Sequence, residues 1–258
     1  MKTQAIIKHI VDWIINYCSH AGIKSLVIGV SGGVDSALTS TLAAKTNLNL
    51  LCLEMPINQN KNQISRASKH IDFLKKKYTN VRNIEVQLTP VFDQLIEVLP
   101  KKKITKEKEL SLVNTKARLR MTTLYYFASI NNAIVVGTGN KVEDFGIGFF
   151  TKYGDGGVDI SPIADLNKTE VYSLAKHIGV CKEILDTPPT DGLWGDDRTD
   201  EEQIGASYPE LEWAMNYRKN ESLTNRKREI LAIYKRLNNL SQHKMKPIPI
   251  CKIPFNLK

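Results

Sequence analysis

The stretch SLVIGVSGGVDSALTSTLAAK, residues 25–45, decides the fold. Residues 25–30 form a short apolar run that predicts a buried strand, and a helix is predicted after the loop SGG. Three more strands are predicted at 49–56, 83–88 and 133–137, with helices between them. Strands that alternate with helices indicate right-handed crossovers and a parallel sheet. The sequence therefore predicts an α/β fold, with a Rossmann-like parallel sheet flanked by helices.

The rest of the chain is predicted to be mainly helical. Isoleucine and valine at helical spacing predict an amphipathic helix over 4–18, and further helices are expected near 90–99 and over 114–130. Beyond residue 160 the strand signal fades, and C-terminal helices are predicted at 168–178, 208–217 and 222–237. The acidic, turn-rich segment 188–204 predicts a mobile loop, and the proline-containing tail 243–258 predicts an extended chain. We expect one domain over 1–258.

Composition excludes several classes of protein. The sequence has no run of about 18 apolar residues, so no membrane span is predicted, and its first residues lack a signal-peptide pattern. A cytoplasmic protein is therefore expected. The four cysteines are scattered, without zinc-ligand spacing. The net charge of +9 fits an anionic partner, but the basic clusters lack interleaved aromatic residues, so we interpret them as solvated surface and not as a nucleic-acid site.

The strongest local signal is the loop Ser31–Ser36, SGGVDS. Its glycines allow a tight turn that directs successive N–H groups at an anion, and the helix that follows adds its positive N-terminal end. The loop lacks the ending of a Walker A motif and carries Asp35 instead. A carboxylate beside a polyphosphate requires a cation such as Mg²⁺ between them. The alternative is a glycine-rich turn in which serine or aspartate caps a helix.

A second glycine segment, 137–139, follows the fourth predicted strand. Because parallel strands end on the same rim, both segments are expected to lie there together. Glu143 can supply a second carboxylate for the magnesium ion held by Asp35; the alternative is a solvated surface glutamate. Lys152 and Arg118 suit phosphate and carboxylate oxygens, or they form surface ion pairs.

These segments resemble a known family. SGGVDS resembles the pyrophosphate loop of the N-type ATP pyrophosphatases, which cleave ATP between the α and β phosphates. Residues 137–162, GTGNKVEDFGIGFFTKYGDGGVDISP, resemble the hallmark of the ammonia-dependent NAD synthetases in that superfamily. NTKARLRM (114–121) and QHK (242–244) are similar to two further signatures of that family.

The resemblance implies an activity. Deamido-NAD, ATP and ammonia would give NAD, AMP and pyrophosphate through an adenylated carboxylate, with one or two Mg²⁺ ions, as the last step of NAD biosynthesis. It also implies a homodimer, with no nucleic-acid or membrane partner. Free ammonia is the expected nitrogen donor, because no cysteine has a nucleophile-like context for glutamine hydrolysis.

The resemblance also implies the site residues. ATP would be bound by Val30, Ser31, Gly32, Gly33, Val34, Asp35, Ser36, Thr138, Lys168 and Thr190. Deamido-NAD would be bound by Tyr17 of the other subunit and by Asn114, Arg118, Tyr125, Lys152, Asp155, Asp159, His243 and Lys244. The implied catalytic residues are Asp35, Glu143, Lys152 and Lys168. The implied metal ligands are Asp35, Glu143 and Thr190.

The sequence departs from the family pattern at three places that affect the predicted site. Glu54 stands where many members have an ATP-contacting arginine, Leu110 stands where an aromatic residue stacks on the pyridine ring, and the stretch after Glu143 is one residue longer.

Two rival functions stay open. A tRNA-modifying enzyme of the same superfamily fits the charge of +9 but lacks an RNA-binding domain and a cysteine pair here. A nucleotide sensor without catalysis has no need of Asp35 together with Glu143.

Overall fold

The computed structural model of the chain describes residues 2–100, 103–190, 192, 194, 198–218 and 222–258. Its strands are β1 (Ser25–Gly29), β2 (Asn49–Glu54), β3 (Val81–Glu85) and β4 (Ala133–Val135). Its longer helices are α1 (Thr3–His20), α2 (Val34–Ala44), α3 (Lys61–Lys77), α4 (Thr89–Val98), α5 (Lys106–Ile130) and α6 (Lys168–Ile178). They are followed by α7 (Lys182–Leu185), α8 (Asp200–Ile204), α9 (Tyr208–Asn216) and α10 (Asn225–Met245). A π-helix covers Val142–Ile147, and a 3₁₀ turn covers Phe255–Leu257.

The four strands form one parallel sheet in the order β3–β2–β1–β4. Val27 of β1 pairs with Leu51 of β2 on one side and with Val135 of β4 on the other. The predicted parallel α/β sheet is confirmed. Because the strand order reverses at β1, a crevice opens between the carboxyl ends of β1 and β4, where open α/β sheets bind their ligands.

Helices cover both faces of the sheet. Leu26 and Ile28 belong to a core that includes residues of α1, α2 and α6, whereas Val27 belongs to a second core with residues of α4 and α5. All three side chains are fully buried. Successive residues of a strand point to opposite faces, so a strand covered on both sides must be apolar throughout. This explains the uninterrupted apolar run at 25–30.

The C-terminal helices form a third core with the π-helix. Val142 and Ile147 of the π-helix pack with residues of α8, α9 and α10, among them Leu211 and Ile230. The predicted C-terminal helices are thereby confirmed. Helix α10 continues to Met245, beyond the predicted end at 237 and into the segment that the sequence predicted to be extended.

Other boundaries also differ from the prediction. Helix α5 begins at Lys106, not at 114, because the Thr105 side chain accepts a hydrogen bond from the Lys108 N–H and acidic residues fill the first turn. The mobile loop predicted at 188–204 lies partly outside the described residues, which omit 191, 193 and 195–197. Its last part was wrongly predicted to be loop, because Asp200–Ile204 forms α8 after a capping box at Thr199. Among the helices of the described ranges, none combines the length and apolar character needed to cross a bilayer.

Candidate active site

A cavity of about 260 Å³ lies at the carboxyl ends of β1 and β4. Both predicted glycine segments border it, as do the start of α6 and the segment around Thr190. Ten of the predicted site residues line it: Val30, Ser31, Gly33, Asp35, Ser36, Thr138, Glu143, Asp155, Lys168 and Thr190. The crevice at the reversal of strand order therefore brings these predicted site residues together.

Hydrogen bonds of its own serines fix the shape of the loop Ser31–Ser36, which we call the phosphate loop. The Ser36 hydroxyl accepts a hydrogen bond from the Ser31 N–H (3.2 Å) and donates to the Gly33 carbonyl (3.0 Å). Gly32 has a φ of +83°, and a Cβ there would lie 2.7 Å from the Gln63 carbonyl oxygen of α3. Only glycine meets both conditions. Helix α2 begins directly after Gly33, so its first turn carries Asp35 and Ser36 into the cavity.

Three charged residues meet at the mouth of this loop. The Lys168 ammonium donates to Asp35 Oδ2 (2.6 Å) and to Glu143 Oε1 (2.9 Å), joining α2, the π-helix and α6. The Lys168 side chain is 4% exposed, and each carboxylate is 17% exposed. Lys168 is the first residue of α6, whose start is fixed by a hydrogen bond from the Asn167 N–H to the Glu170 carboxylate. We name this group the Asp35–Lys168–Glu143 triad.

Burial is the largest single influence on the pKa of each of the three residues. It raises the pKa of Asp35, although Lys168 acts in the opposite direction. Burial also acts upward on Glu143, but the charge of Lys168 and the hydrogen bond from Tyr208 outweigh it, so the pKa of Glu143 is lowered. On Lys168 burial acts downward, and the two carboxylates outweigh it and raise its pKa. Lys168 therefore remains protonated at neutral pH and serves as the counterion of both carboxylates.

Asn140 and Tyr208 orient the triad, and sequence reasoning missed both. The Asn140 amide donates to Asp35 Oδ1 (3.0 Å), and its oxygen accepts from the N–H groups of Val142 and Glu143 (3.1 Å each). The Tyr208 hydroxyl lies 2.6 Å from Glu143 Oε1 and 3.1 Å from Asp200 Oδ2. Tyr208 lies 65 positions beyond Glu143 in the chain, so no local spacing pattern links them.

The segment that begins next to Glu143, where the sequence predicted one residue more than in the family, forms a π-helix. In it, Asp144 turns its carboxylate against the backbone of Gly139, where a Cβ would overlap it. Asp144 also lines the cavity. Burial and the neighbouring carboxylates of Glu143 and Asp155 raise the pKa of Asp144 well above its ordinary value. Sequence reasoning did not single out Asp144, although the longer stretch signalled a change at this place.

Several residues predicted to bind the dinucleotide lie at or beside the cavity and form hydrogen bonds with other residues of the chain. The Asn114 side-chain oxygen accepts from the Thr151 hydroxyl (2.6 Å), and the Asp155 carboxylate accepts from the Thr151 N–H (2.9 Å). Tyr125 donates to Asp159 (2.8 Å), whose other oxygen accepts from the Val135 N–H (2.8 Å). Thus α5, the end of β4 and the segment after the π-helix are joined at this side of the cavity.

The remaining predicted cations contact main-chain carbonyl groups. Arg118 Nε donates to the Lys152 carbonyl (3.4 Å), and the Lys152 ammonium donates to the His243 carbonyl (2.5 Å). Lys244 donates to the carbonyls of Gly148 and Phe150 (2.8 and 2.7 Å), which ties the end of α10 to the segment after the π-helix. Tyr17 lies on α1, away from the cavity lining, with its ring centroid 5.8 Å from that of Trp13. Its 44% exposure leaves it open to solvent in the single chain.

Comparison with known proteins assigns the family. The profile described as NAD synthase matches residues 6–248. The NH(3)-dependent NAD(+) synthetase of Carboxydothermus hydrogenoformans is 37% identical over 241 residues, which are 93% of each chain. The chain belongs to the NAD synthase family.

Two solved structures superpose on this chain over nearly its whole length. The NMN synthetase of Francisella tularensis superposes with a TM-score of 0.84 at 30% identity, covering 99% of both chains. The NH3-dependent NAD synthetase of Campylobacter jejuni superposes with a TM-score of 0.79 at 26% identity, covering 98% of this chain and 100% of that one. The family is therefore matched over nearly the whole chain.

Two departures from the NAD synthase pattern acquire a structural meaning. Glu54 is 5% exposed and does not line the cavity; burial and Glu85 of the adjacent strand raise its pKa. A cation nevertheless reaches the end of β2 from α5, because Arg120 donates to the Met55 carbonyl (2.9 Å) and lines the cavity. Leu110 is 50% exposed on α5 and does not line the cavity. Neither departing side chain reaches the pocket.

The triad suits the magnesium ion that the NAD synthase family implies. Within the described part of the chain, no three or more His, Cys, Asp or Glu side chains are grouped to hold a metal unaided. Asp35 and Glu143, however, already hold one cation, the Lys168 ammonium, and both line the cavity next to the phosphate loop. Mg²⁺ is commonly bound by one or two carboxylates together with substrate phosphates. The residues present fit that arrangement.

Proposed function

We propose that this chain amidates deamido-NAD with ammonia at the expense of ATP, giving NAD, AMP and pyrophosphate through an adenylated carboxylate. The observation that carries the proposal is the triad at the mouth of the phosphate loop, in a chain of the NAD synthase family. Cleavage of ATP between its α and β phosphates requires strong charge neutralisation at a fixed position, and little acid–base chemistry. The triad concentrates charge at that position.

Each part of the cavity has a role in this proposal. Pyrophosphate is received by the N–H groups and hydroxyls of the loop Ser31–Ser36 and by the N-terminal end of α2. The apolar slot of Gly29, Leu53 and Met55 takes the adenine ring. Asp35 and Glu143 would hold the magnesium ion, which when bound stabilises the charge that develops on the phosphates. Lys168, which also lines the cavity, supplies a further positive charge beside the phosphates.

The chemistry proceeds in two steps. A carboxylate oxygen of deamido-NAD attacks the α-phosphorus, and the bond to the β-phosphate oxygen breaks, so pyrophosphate leaves. The mixed anhydride that results has AMP as a good leaving group. Ammonia attacks its carbonyl carbon, the bond to AMP breaks, and the nitrogen loses a proton to give the amide of NAD. The Lys168 cation and the fixed loop supply orientation and charge, which account for much of the rate enhancement in such transfers.

The direct test is an assay of the purified chain with ATP, MgCl₂, deamido-NAD and ammonium chloride. NAD, AMP and pyrophosphate should appear in equal amounts. Asp35→Asn should remove the activity while the chain still folds, because it deletes one metal-binding charge and leaves Lys168 paired with Glu143. NAD formation by that variant at the wild-type rate would refute the role of Asp35. Pyrophosphate release with tRNA in place of deamido-NAD would favour the RNA-modifying alternative, and ATP binding without any turnover would favour a sensor.

A second candidate function is the synthesis of NMN from the corresponding acid mononucleotide. It is favoured by the structural match to the Francisella tularensis protein, which covers 99% of both chains. The same assay with nicotinic acid mononucleotide separates the two. We expect a higher kcat/KM for deamido-NAD, because the NH(3)-dependent NAD(+) synthetases of Carboxydothermus hydrogenoformans and Mycoplasma genitalium are 37% and 39% identical to this chain.

We further propose that Asn114, Arg118, Tyr125, Lys152, Asp155 and Asp159, together with His243 and Lys244, bind the dinucleotide once it enters. The chain is proposed to be a cytoplasmic homodimer that joins through α1 and α5 and places Tyr17 near the partner's dinucleotide. Exposed Trp13 and Tyr17 on α1, and Tyr126 and Ile130 on α5, support this interface. A monomeric mass by light scattering at micromolar concentration would contradict it.

The segment 188–204 is proposed to close over the bound nucleotides. Pro189, Thr190 and Asp200, near its two ends, line the cavity. Thr190 would contact the phosphates and the magnesium ion there. Proteolysis at this segment should slow when ATP and deamido-NAD are added together; an unchanged rate would contradict the closure.

A further inference from the structure

Tyr208 lies outside every segment in which the sequence located the site. It is the first residue of α9 and is 3% exposed. Its N–H donates to Glu201 (2.8 Å), and the preceding Ser207 N–H donates to Glu210 (2.9 Å), which Arg226 binds through two further hydrogen bonds (2.7 and 2.8 Å). The position of Tyr208 is thus fixed from both sides, independently of any substrate.

The Tyr208 hydroxyl has one hydrogen to donate and lies between two carboxylates. Glu143 Oε1 is 2.6 Å away and Asp200 Oδ2 is 3.1 Å away. The shorter distance assigns the hydrogen to Glu143. Glu143 Oε1 therefore accepts from two donors, the Tyr208 hydroxyl and the Lys168 ammonium. The two donors come from α9 and α6 and fix the orientation of the Glu143 carboxylate beside the cavity that Glu143 lines.

We propose that Tyr208 is a positioning residue for the cation that accompanies ATP: its hydroxyl fixes the orientation of Glu143, the carboxylate that would bind this cation. The proposal rests on the proposed function, which assigns Glu143 to magnesium. Groups that bind a metal ligand from behind fix its orientation, and their loss costs metal affinity and activity. The link also connects α8 and α9 to the triad, because Asp200, on the other side of the hydroxyl, begins α8.

A purely structural role makes a different prediction. The Tyr208 ring packs in the C-terminal core, and the Lys168 ammonium lies 4.7 Å from its ring centroid. Tyr208→Phe retains the ring, the packing and the contact with Lys168, and removes only the hydroxyl. The matched control is Tyr234→Phe on α10, since Tyr234 packs against the same core and no hydrogen bond joins it to the triad among the described residues.

The experiment measures the affinity of the protein for Mn²⁺, which replaces Mg²⁺ as a spectroscopic probe. Electron paramagnetic resonance gives the Mn²⁺ affinity of each variant in the presence of α,β-methylene-ATP, which cannot be cleaved between the α and β phosphates. Tyr208→Phe should weaken Mn²⁺ binding about tenfold, whereas Tyr234→Phe should leave it unchanged. In turnover, the Mg²⁺ concentration for half-maximal rate should rise by about the same factor, with an unchanged KM for deamido-NAD.

A double-mutant cycle separates a link through Glu143 from a general disturbance. In a Glu143→Gln background, the further change Tyr208→Phe should have no effect on Mn²⁺ affinity. Wild-type Mn²⁺ affinity in Tyr208→Phe, an equal loss in Tyr234→Phe, or a full additional loss in the Glu143→Gln background would each overturn the proposal. The binding measurement needs no turnover, so a failure of the proposed amidation reaction would be recognised separately.

Discussion

Replacement of Lys168 by methionine tests the electrostatic structure of the site. The ammonium of Lys168 is the counterion of two carboxylates, at 2.6 Å from Asp35 and 2.9 Å from Glu143, and is 4% exposed. Methionine has a similar length and no charge, so Lys168→Met leaves two buried carboxylates facing each other. Removal of one partner from a buried ion pair costs about 3–5 kcal/mol. With a urea m-value of about 3 kcal/mol/M, the unfolding midpoint should fall by about 1–2 M.

Mg²⁺ should recover part of this loss. If Mg²⁺ occupies the vacated position with a Kd of about 1 mM, about 10 mM MgCl₂ stabilises the variant by about 1.4 kcal/mol. In the wild-type protein the ammonium already neutralises the two carboxylates, so Mg²⁺ alone should stabilise it less. The matched control is Lys141→Met, because Lys141 pairs with Asp165 at 2.9 Å on the surface, with side chains 42% and 97% exposed. Such pairs contribute little to stability.

Urea denaturation with and without MgCl₂, followed by circular dichroism, measures both effects. The reasoning is refuted if Lys168→Met is no less stable than Lys141→Met. It is also refuted if Mg²⁺ stabilises Lys168→Met no more than it stabilises the wild-type chain.

Three further predictions address other parts of the molecule. Burial lowers the pKa of His70 from 6.5 to about 4, so the unfolded chain binds a proton at this residue before the folded chain does as the pH falls. Between pH 7 and pH 5 the wild-type chain should therefore lose about 2 kcal/mol more stability to urea than His70→Gln, and equal losses would contradict this. Gly139→Ala should lower the free energy of unfolding by about 1–3 kcal/mol in urea, because the added methyl overlaps the Asp144 carboxylate. A second change, Asp144→Gly, should restore most of this stability, whereas wild-type stability of Gly139→Ala would contradict the contact. The purified chain should form no NAD from glutamine in ammonia-free buffer, since none of its four cysteines lines the cavity; efficient NAD formation there would overturn the donor assignment.

The sequence predicted those features that local pattern controls. The apolar run at 25–30 and the glycines after it predicted both a strand buried on two faces and a loop at its carboxyl end, and Asp35 does line the cavity there. The placement of Glu143 on the same rim followed from the parallel sheet. Strand boundaries were less accurate: β3 covers Val81–Glu85 instead of 83–88, because its pairing with β2 sets its length.

The contacts that orient the site could not be predicted in the same way. Tyr208 and Asn140 reach Glu143 and Asp35 across 65 and 105 positions of sequence, and each is an ordinary polar residue in its local context. The hydrogen bonds of Lys168 to both carboxylates depend on where α6 begins in space. Glu54, in place of the arginine expected from the family, predicted that a cation near ATP would be lost. Only the packing of α5 against the end of β2 places Arg120 at that point.

The central claim is that this chain activates a carboxylate by adenylation. It is tested most directly with deamido-NAD whose pyridine carboxylate is labelled with ¹⁸O, incubated with the chain, ATP, MgCl₂ and ammonium chloride. Mass spectrometry of the products should find one ¹⁸O atom in AMP for each NAD formed, with unlabelled pyrophosphate, since the carboxylate oxygen that attacks the α-phosphorus leaves with AMP. Release of ADP and labelled orthophosphate would contradict the account, because the label would then have passed to a γ-phosphoryl group.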